Sequence, residues 1–473
     1  MKKLLALKES KPILWNMIIF AVAMVISQTA IESFNVTSTL FTLKTTGSVW
    51  LTVLVQAARY LPTLIAFGVA PIIIKKINNK SIIVVSEYVS AILIFFVAVV
   101  AFSTEGIDYK DRAITPLIIV IYIAIIIWNI FNSARFLALK NIVYRISEKE
   151  ENINIYNRIN NFATSISYLV AALVSLGLVS LVPFPWICVI LGIFYIISQF
   201  LYSTLIVYKH NVEISSKPQI KKHSKTIIYT LSILVLLAIF SSITFVPRFG
   251  TNTQFMINLF LEIKNSPDVE FWVSIYLIVI GAALCFGSLA IFLLGKKILI
   301  STSVIYALIT IALAIFFVFA FGGLGTNVGL FGKIESDKGV DYNKAIFDQA
   351  VITWAHKNKA VMLSVFLIVT FIQYFVFSMF LPVYFDYSYR TVPSDKYAFF
   401  AALTMIIFQL MGLIFTVIIT VIFNKINFQS AYLFYAVIVG VFVIAATVLS
   451  FVLKARQIKF TKDHHIKAEN ELL

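Results

Sequence analysis

Ile82–Phe102 reads IIVVSEYVSAILIFFVAVVAF, and Glu87 is the single charged residue within it. The stretch is apolar on every side and is long enough to cross ~30 Å of hydrocarbon as an α-helix. Membrane β-strands instead alternate apolar and polar residues over about ten positions, and no such alternation is present here. The stretch therefore predicts a membrane-spanning helix.

Similar apolar blocks recur along the whole chain, which is 60% hydrophobic and 13% charged with a mean hydropathy of +0.95. Soluble domains carry roughly 25% charged residues, so this composition does not fit a water-facing surface. We expect an all-α integral membrane protein with about twelve spanning helices. The predicted spans are Ile13–Phe41, Trp50–Ile74, Ser81–Phe102, Thr115–Leu139, Ile159–Leu181, Trp186–Tyr208, Thr226–Val246, Phe271–Leu294, Leu299–Phe321, Ala360–Phe385, Tyr397–Phe423 and Ala431–Leu453.

The basic residues predict how the chain is oriented in the bilayer. The chain has 38 Lys and Arg against 22 Asp and Glu, a net charge of +16. Most basic side chains flank the spans on one side, which the positive-inside rule assigns to the cytoplasm. Both termini are therefore expected in the cytoplasm, and the charge indicates attraction to anionic lipid rather than to nucleic acid.

Loop lengths divide the predicted spans into two groups of six. Residues 1–208 form an N-terminal half, 209–225 a basic cytoplasmic linker, and 226–455 a C-terminal half with a long outer loop at 322–359. A cytoplasmic tail follows at 456–473. The outer loop has a helical apolar face, which is compatible with a short interfacial helix or with a loop packed on the outer rim.

Two charged residues lie deep in the first two predicted spans. Glu32 and Arg59 are each ~13 Å from the outer ends of their helices, so an ion pair between them is geometrically reasonable. A charge at the bilayer centre costs at least ~2.5–3.5 kcal/mol, and such residues usually face a partner or a cavity. Glu32 is a candidate for proton coupling or cation recognition, and a static ion pair that fixes helix register is the alternative.

Glu87 and Arg135 lie near the predicted inner ends of the third and fourth spans. Both side chains are long enough to extend towards the cytoplasmic interface, so interfacial anchoring is the expected role and an inner gate pair is the alternative.

Motifs for enzymatic chemistry are missing from the sequence. There is no phosphate-binding G-x-x-x-x-G-K-[ST] loop, no H-E-x-x-H and no Cys/His cluster with metal-ligand spacing. The two cysteines, Cys188 and Cys285, lie inside apolar runs, which argues against a disulfide framework. We therefore expect no catalytic residues, no cofactor and no metal site.

Several short motifs resemble a known transporter family. Thr46-Gly47-Ser48 precedes an Arg59-Tyr60-Leu61-Pro62 segment, Ser86-Glu87 follows a basic loop, and Phe131-Asn132-Ser133-Ala134 and Arg390-Thr391-Val392-Pro393 occur further along. With the six-plus-six arrangement, these stretches resemble the major facilitator superfamily, and within it the macrolide-efflux and enterobactin-exporter-like branch. The chain departs from that pattern at Lys75, where the superfamily usually has Asp, and it lacks the helix 5 antiporter motif.

The resemblance implies alternating access around a central cavity lined by helices 1, 4, 7 and 10. It makes cavity candidates of residues that would otherwise be packing contacts, namely Gln28, Glu32, Asn129, Asn132, Gln373 and Tyr374. The inner gate candidates that it implies are Glu87, Arg135, Lys76 and Lys80.

The sequence thus predicts a secondary transporter that exports amphipathic small molecules, driven by protons. The alternatives are a nutrient importer or lipid mover on the same fold, and a membrane scaffold or receptor that does not transport. The expected partners are the lipid bilayer, a small-molecule substrate and protons, with the chain acting as a monomer. The Ile-, Lys- and Asn-rich composition favours a multi-pass protein of a bacterial plasma membrane.

Overall fold

A computed structural model gives the architecture of the chain. It describes residues 2–46, 49–104, 115–147, 150–208, 268–294, 359–392 and 394–425, with isolated positions within 232–239 and 434–448. The predicted span at Leu299–Phe321, the linker, the outer loop and the tail lie outside this described part, as do most of the spans at Thr226–Val246 and Ala431–Leu453. The number twelve and the orientation of the termini therefore stay predictions.

The described part consists of long α-helices, which we number in chain order. They are α1 (Lys2–Thr46), α2 (Val49–Lys76), α3 (Asn79–Thr104), α4 (Pro116–Ile146), α5 (Glu150–Leu181), α6 (Phe184–Ser203), α7 (Asp268–Leu294), α8 (Lys359–Thr391) and α9 (Ser394–Lys425). Among the residues that the structure describes, six segments are long and apolar enough to cross a membrane, at Leu14–Thr42, Ala58–Lys76, Asn79–Thr104, Pro116–Ile146, Phe184–Ser203 and Lys396–Phe415.

The structure places three helix ends differently from the sequence prediction. Helix α4 continues past Leu139 to Ile146, α5 begins at Glu150 rather than Ile159, and α6 ends at Ser203. Hydropathy detects only the hydrocarbon-embedded part of a helix, whereas α4 and α5 continue through polar residues beyond it. Helix α6 ends at Ser203, before the predicted Tyr208, because the residues after it are non-helical and are hydrogen-bonded to α1. There the Asn16 amide bonds both the backbone N–H and the C=O of Ile206, each at 2.9 Å.

The chain forms two compact units. Unit 1 comprises residues 1–227 and 381–410, and unit 2 comprises residues 228–380 and 411–473. Helices α8 and α9 therefore each pass from one unit into the other.

In unit 1, α3 packs against α4 and α6, α1 packs against α5 and α6, and α2 packs against α4. The core between α1, α3, α4 and α6 is apolar, with Phe34 meeting the Trp128 indole edge-to-face at a centroid distance of 6.3 Å.

The outward faces of these helices are also apolar. On α2, Leu61, Ile65, Val69 and Ile72 follow one another at helical spacing and are 49–70% exposed. A continuous stripe of large exposed aliphatic side chains would be unstable in water and is the surface expected against lipid. The exposed stripe supports membrane insertion of unit 1.

In unit 2, α7 and α8 approach each other closely at small residues. The Ser378 hydroxyl donates to the Leu284 carbonyl at 2.5 Å and lies 2.7 Å from the Ser288 hydroxyl. A Cβ added at Gly287 would collide with the backbone carbonyl of Phe375. Small residues at such contacts are typical of membrane helix pairs, because they let two backbones come together.

Candidate functional site

Glu87 on α3 and Arg135 on α4 form an ion pair in the interior of unit 1. The guanidinium Nε donates to Glu87 Oε1, and the two side chains are 0% and 3% exposed. The Ser27 hydroxyl of α1 donates to the same oxygen at 2.6 Å, and the Ser198 hydroxyl of α6 donates to Oε2 at 2.6 Å. Both carboxylate oxygens are thus engaged, which is the condition for keeping a buried charge.

The remaining donors of Arg135 extend this network. Nη2 donates to the Ser27 hydroxyl at 2.6 Å and to the Tyr202 hydroxyl at 3.5 Å, and Nη1 donates to Asn132 Oδ1 at 3.3 Å. Tyr202 also lies 5.9 Å from the guanidinium, measured to its ring centroid, and its hydroxyl donates to Met24 Sδ. The network therefore connects four helices, α1, α3, α4 and α6, through one charge pair.

The interfacial anchoring predicted for Glu87 and Arg135 is not what the structure shows. Both side chains are buried and pair with each other inside unit 1 instead of extending to an aqueous surface. The sequence prediction could not register this partner, because the pairing joins two different helices. A gating role for the pair stays a prediction.

Glu32 and Arg59 lie close together on α1 and α2. Arg59 Nη2 donates to the Asn35 carbonyl at 2.7 Å, the Thr39 hydroxyl at 3.2 Å and the Ser38 hydroxyl at 3.4 Å. Glu32 is 8% exposed and is near enough to Arg59 for Coulombic attraction. Its carboxylate accepts a long hydrogen bond from Gln28 Nε2 at 3.4 Å. Glu32 is thus less tightly held by hydrogen-bond donors than Glu87.

The neutral cavity candidates lie in different surroundings. The Asn129 amide donates to the Ile125 carbonyl of its own helix at 2.7 Å, whereas Asn132 belongs to the Arg135 network. Gln373 and Tyr374 are buried in α8 of unit 2, 2% and 1% exposed. Their role in a cavity stays a prediction.

The two lysine gate candidates differ in their contacts. Lys76 is exposed in the last turn of α2. Lys80, at the start of α3, donates from Nζ to the Leu205 carbonyl at 3.0 Å and so holds the segment after α6.

Ser198 and Tyr202 were missed by sequence reasoning, although both contact the ion pair. They are one helical turn apart on α6, in a helix that is otherwise mostly apolar. That i, i+4 spacing places them on one face and is the local signal that was available. A Ser and a Tyr in a membrane helix are common, however, so the spacing gains meaning only when Glu87 and Arg135 lie opposite.

Within the described residues, no group of three or more His, Cys, Asp or Glu side chains is arranged to hold a metal ion. Cys188 and Cys285 are both buried free thiols.

No protein-family model matches the chain, and no curated protein matches it by sequence. Solved structures do match it. A bacterial homologue of the iron transporter ferroportin in an outward-facing state is 13% identical, with a TM-score of 0.56, over 93% of this chain and 99% of the other. The proton:xylose symporter XylE, a major facilitator superfamily protein bound to 6-bromo-6-deoxy-D-glucose, is 12% identical, with a TM-score of 0.59, over 93% of this chain and 96% of the other.

These likenesses extend over nearly the full length of the transporters concerned, and at 12–13% identity they establish the fold. Together with the apolar helices of the described part, they show that the chain is a multi-pass α-helical membrane protein with the fold of major facilitator superfamily transporters.

Proposed function

We propose that this protein is a secondary active transporter of the major facilitator superfamily, and that it exports amphipathic small molecules by alternating access in exchange for protons. Of the similar structures, one is a bacterial homologue of the iron transporter ferroportin and another is a proton:xylose symporter. A fold shared with transporters supports transport but does not name a substrate.

The observation that carries proton coupling is the contrast between the two buried carboxylates. Glu87 accepts hydrogen bonds from Arg135, Ser27 and Ser198, and protonating it would remove its charge from the ion pair with Arg135 and displace a donor from the protonated oxygen. Glu32 has one long bond, from Gln28, and the charge of Arg59 nearby. A coupling group must gain and lose a proton in each cycle, and the loosely held Glu32 is the better suited of the two.

The amphipathic substrate class is inferred from the neutral polar candidates. Gln28 bonds Glu32 on α1, and Asn129 and Asn132 lie on α4. All three are neutral amides in apolar helices, and they would orient a substrate without charge. Sugar phosphates and dicarboxylates need clustered Arg or Lys donors at the binding site. The resemblance to the macrolide-efflux branch supports export.

The experiment is accumulation of a fluorescent amphiphilic cation in cells that express the full chain. Wild type, Glu32→Gln and Glu32→Asp are compared, each with and without a protonophore. Wild-type cells are expected to accumulate less dye than vector-only cells, and the protonophore is expected to remove the difference. Glu32→Gln should match vector-only cells because its amide does not exchange protons, whereas Glu32→Asp keeps part of the export.

Equal accumulation in all cells, with the protein present in the membrane, would count against export of this class. Higher accumulation in wild type would instead favour uptake over export. Export that persists in Glu32→Gln would remove Glu32 from proton coupling.

A further inference from the structure

Two tryptophans of unit 1 are more than half exposed at the ends of their membrane-spanning segments. Trp15 lies at the start of the apolar part of α1 and is 56% exposed, and Trp186 lies in the first turn of α6 and is 53% exposed. Trp128 of α4, by contrast, is 2% exposed in the core. An indole ring has a large apolar area and is usually well buried, so Trp15 and Trp186 indicate a partner outside these helices.

Each of these two tryptophans begins a row of exposed aliphatic side chains. On α1, Trp15 is followed by Ile18 and Val22, and on α6 Trp186 is followed by Ile193, all of them exposed. Positions three or seven residues apart lie on one face of a helix. Both indoles therefore lie on the face that the exposed aliphatic residues assign to lipid.

Hydrogen bonds between helices show which residues share a level at the end of unit 1 that is predicted to be cytoplasmic. Next to Trp15, the Asn16 amide bonds both backbone polar groups of Ile206 at 2.9 Å. The residue before it, Leu205, accepts a hydrogen bond from Lys80 Nζ at 3.0 Å. Trp15 on α1 and Lys80 on α3 therefore belong to one inner level, and basic residues close to span ends mark the cytoplasmic membrane surface.

Aromatic contacts define a matching level at the opposite end. Phe102 of α3 meets the Trp186 ring edge-to-face at 5.2 Å, and Phe41 of α1 stacks on Phe184 of α6 at 4.3 Å, both measured between ring centroids. Phe184 and Trp186 belong to the same turn of α6, so these four rings share one outer level. Trp15 and Trp186 thus lie at opposite ends of unit 1.

The separation of the two levels matches a bilayer. From Lys80 to Phe102 α3 rises ~33 Å, and from Trp15 to Phe41 α1 rises ~39 Å, at 1.5 Å per residue. The hydrocarbon core is ~30 Å thick, and a helix with a longer path between the same two levels accommodates it by tilting. The inner and outer levels therefore coincide with the two borders of the hydrocarbon core.

The chemistry of indole fits such a border. Its ring is apolar and its N–H donates a hydrogen bond, so it is best placed where acyl chains meet ester carbonyls and headgroups. Exposed aliphatic residues occur on α1, α2, α3, α4 and α6 alike, which is expected of a surface surrounded by lipid. A partner chain would cover one side.

We propose that Trp15 and Trp186 are the interfacial anchors of unit 1, which bind the glycerol and headgroup region of phospholipids at the inner and outer borders and so fix the depth of unit 1 in the bilayer. The inference does not rest on transport, and it can be tested without a substrate.

The test is quenching of tryptophan fluorescence by brominated phosphatidylcholine in proteoliposomes that contain the full chain. The bromines lie either high on the acyl chains, close to the headgroups, or near the chain ends at the bilayer centre. Trp15→Phe, Trp186→Phe and the matched control Trp128→Phe are each compared with wild type. The emission lost in a variant reports the indole that it removes, and Phe keeps an aromatic ring at the site so that folding is little disturbed.

The emission of Trp15 and of Trp186 should be quenched about twofold or more strongly by the shallow bromines than by the deep ones, because both indoles lie at a border. The emission of Trp128 should be the least quenched by either lipid, because protein surrounds it. Equal quenching by the two lipids, or stronger quenching by the deep bromines, would overturn the proposed depth. Absence of quenching at Trp15 and Trp186 would show that protein covers them, and would overturn lipid as the partner.

A second variant moves the indole along the same face of α1. Trp15→Phe/Val22→Trp places it two turns further into the span, ~10 Å deeper, and is compared with Trp15→Phe. The added emission should be quenched more strongly by the deep bromines than by the shallow ones. A preference for the shallow bromines at this position too would overturn the inner border at Trp15.

Discussion

Glu87 and Glu32 are both buried in unit 1, but the protein surrounds them differently. Three donors on three helices hold Glu87, whereas the hydrogen bond to Glu32 comes from Gln28, a single turn away on the same helix. A fully bonded ion pair fixes the helices that contribute to it. Removing one of its two members is costly, because the other charge is left buried without a partner. Glu32 has no such set of donors from other helices to hold it. We therefore expect the Glu87 network to be rigid, and we propose Glu32 rather than Glu87 for proton exchange.

Removing one member of the buried ion pair should destabilise the protein strongly. Arg135→Met leaves the Glu87 carboxylate buried without its cation, and the expected loss is ~3–5 kcal/mol. The double variant Glu87→Met/Arg135→Met removes both charges and should recover most of that loss. The measurement is the thermal unfolding midpoint of the purified chain in detergent. If the double variant lost as much stability as Arg135→Met alone, or more, the two charges would not be coupled.

At the scale of helices, close approach depends on a few small residues. The α7–α8 contact is built from Gly287, Ser288 and Ser378, and their hydroxyls bridge the helices. On α3 and α6 the corresponding tight point is Gly192, where an added Cβ would meet the Phe95 ring at 2.7 Å. The Phe95 ring is a side chain that can rotate, whereas the obstacle at Gly287 is backbone. The α7–α8 contact is therefore the less tolerant of the two.

Gly287→Ala should push α7 and α8 apart and cost ~1–3 kcal/mol, the usual range for overpacking a well-packed contact. The matched control is Gly68→Ala on α2, where nothing lies within 4 Å of the added Cβ. Because Ala is a better helix former than Gly, this control should be neutral or stabilising by up to ~1 kcal/mol. Both are compared by thermal unfolding, and equal midpoints would contradict the tight α7–α8 contact.

For the whole molecule, orientation in the bilayer is set by charge, since apolar helices insert equally well in either direction. Lys75 and Lys76 are exposed at the end of α2, and Lys80 follows at the start of α3. Basic residues close to helix ends stay in the cytoplasm. The turn between α2 and α3 is therefore predicted inside, and the turn between α5 and α6 outside.

Two single cysteines test this orientation in a chain with Cys188→Ala and Cys285→Ala. Val182→Cys, in the α5–α6 turn, should react with a membrane-impermeant maleimide in intact cells. Asn78→Cys, an exposed position in the α2–α3 turn, should react only after the cells are permeabilised. The opposite pattern would invert the predicted topology.

The sequence by itself determined the class of this protein and the approximate positions of the long helices that the structure describes. Hydrophobic length is a local property, so Ile82–Phe102 could be recognised as a spanning helix before its neighbours were known. The unusual charges Glu32, Arg59, Glu87 and Arg135 were also evident, because charge is rare in apolar runs. The ends of α4, α5 and α6 were less well predicted, since hydropathy does not register helix beyond the hydrocarbon.

Only the tertiary structure decided which of these residues meet. Glu87 bonds Arg135 and Ser198, which lie 48 and 111 positions away, and Tyr144 bonds Tyr389 across 245 positions. No local pattern encodes such pairings, because they depend on which helix faces are packed together and at what depth. The contact between Tyr144, Tyr389 and Tyr397 is the clearest case: each tyrosine is an ordinary residue in its own segment, and the three meet only because α4 packs against residues 381–410.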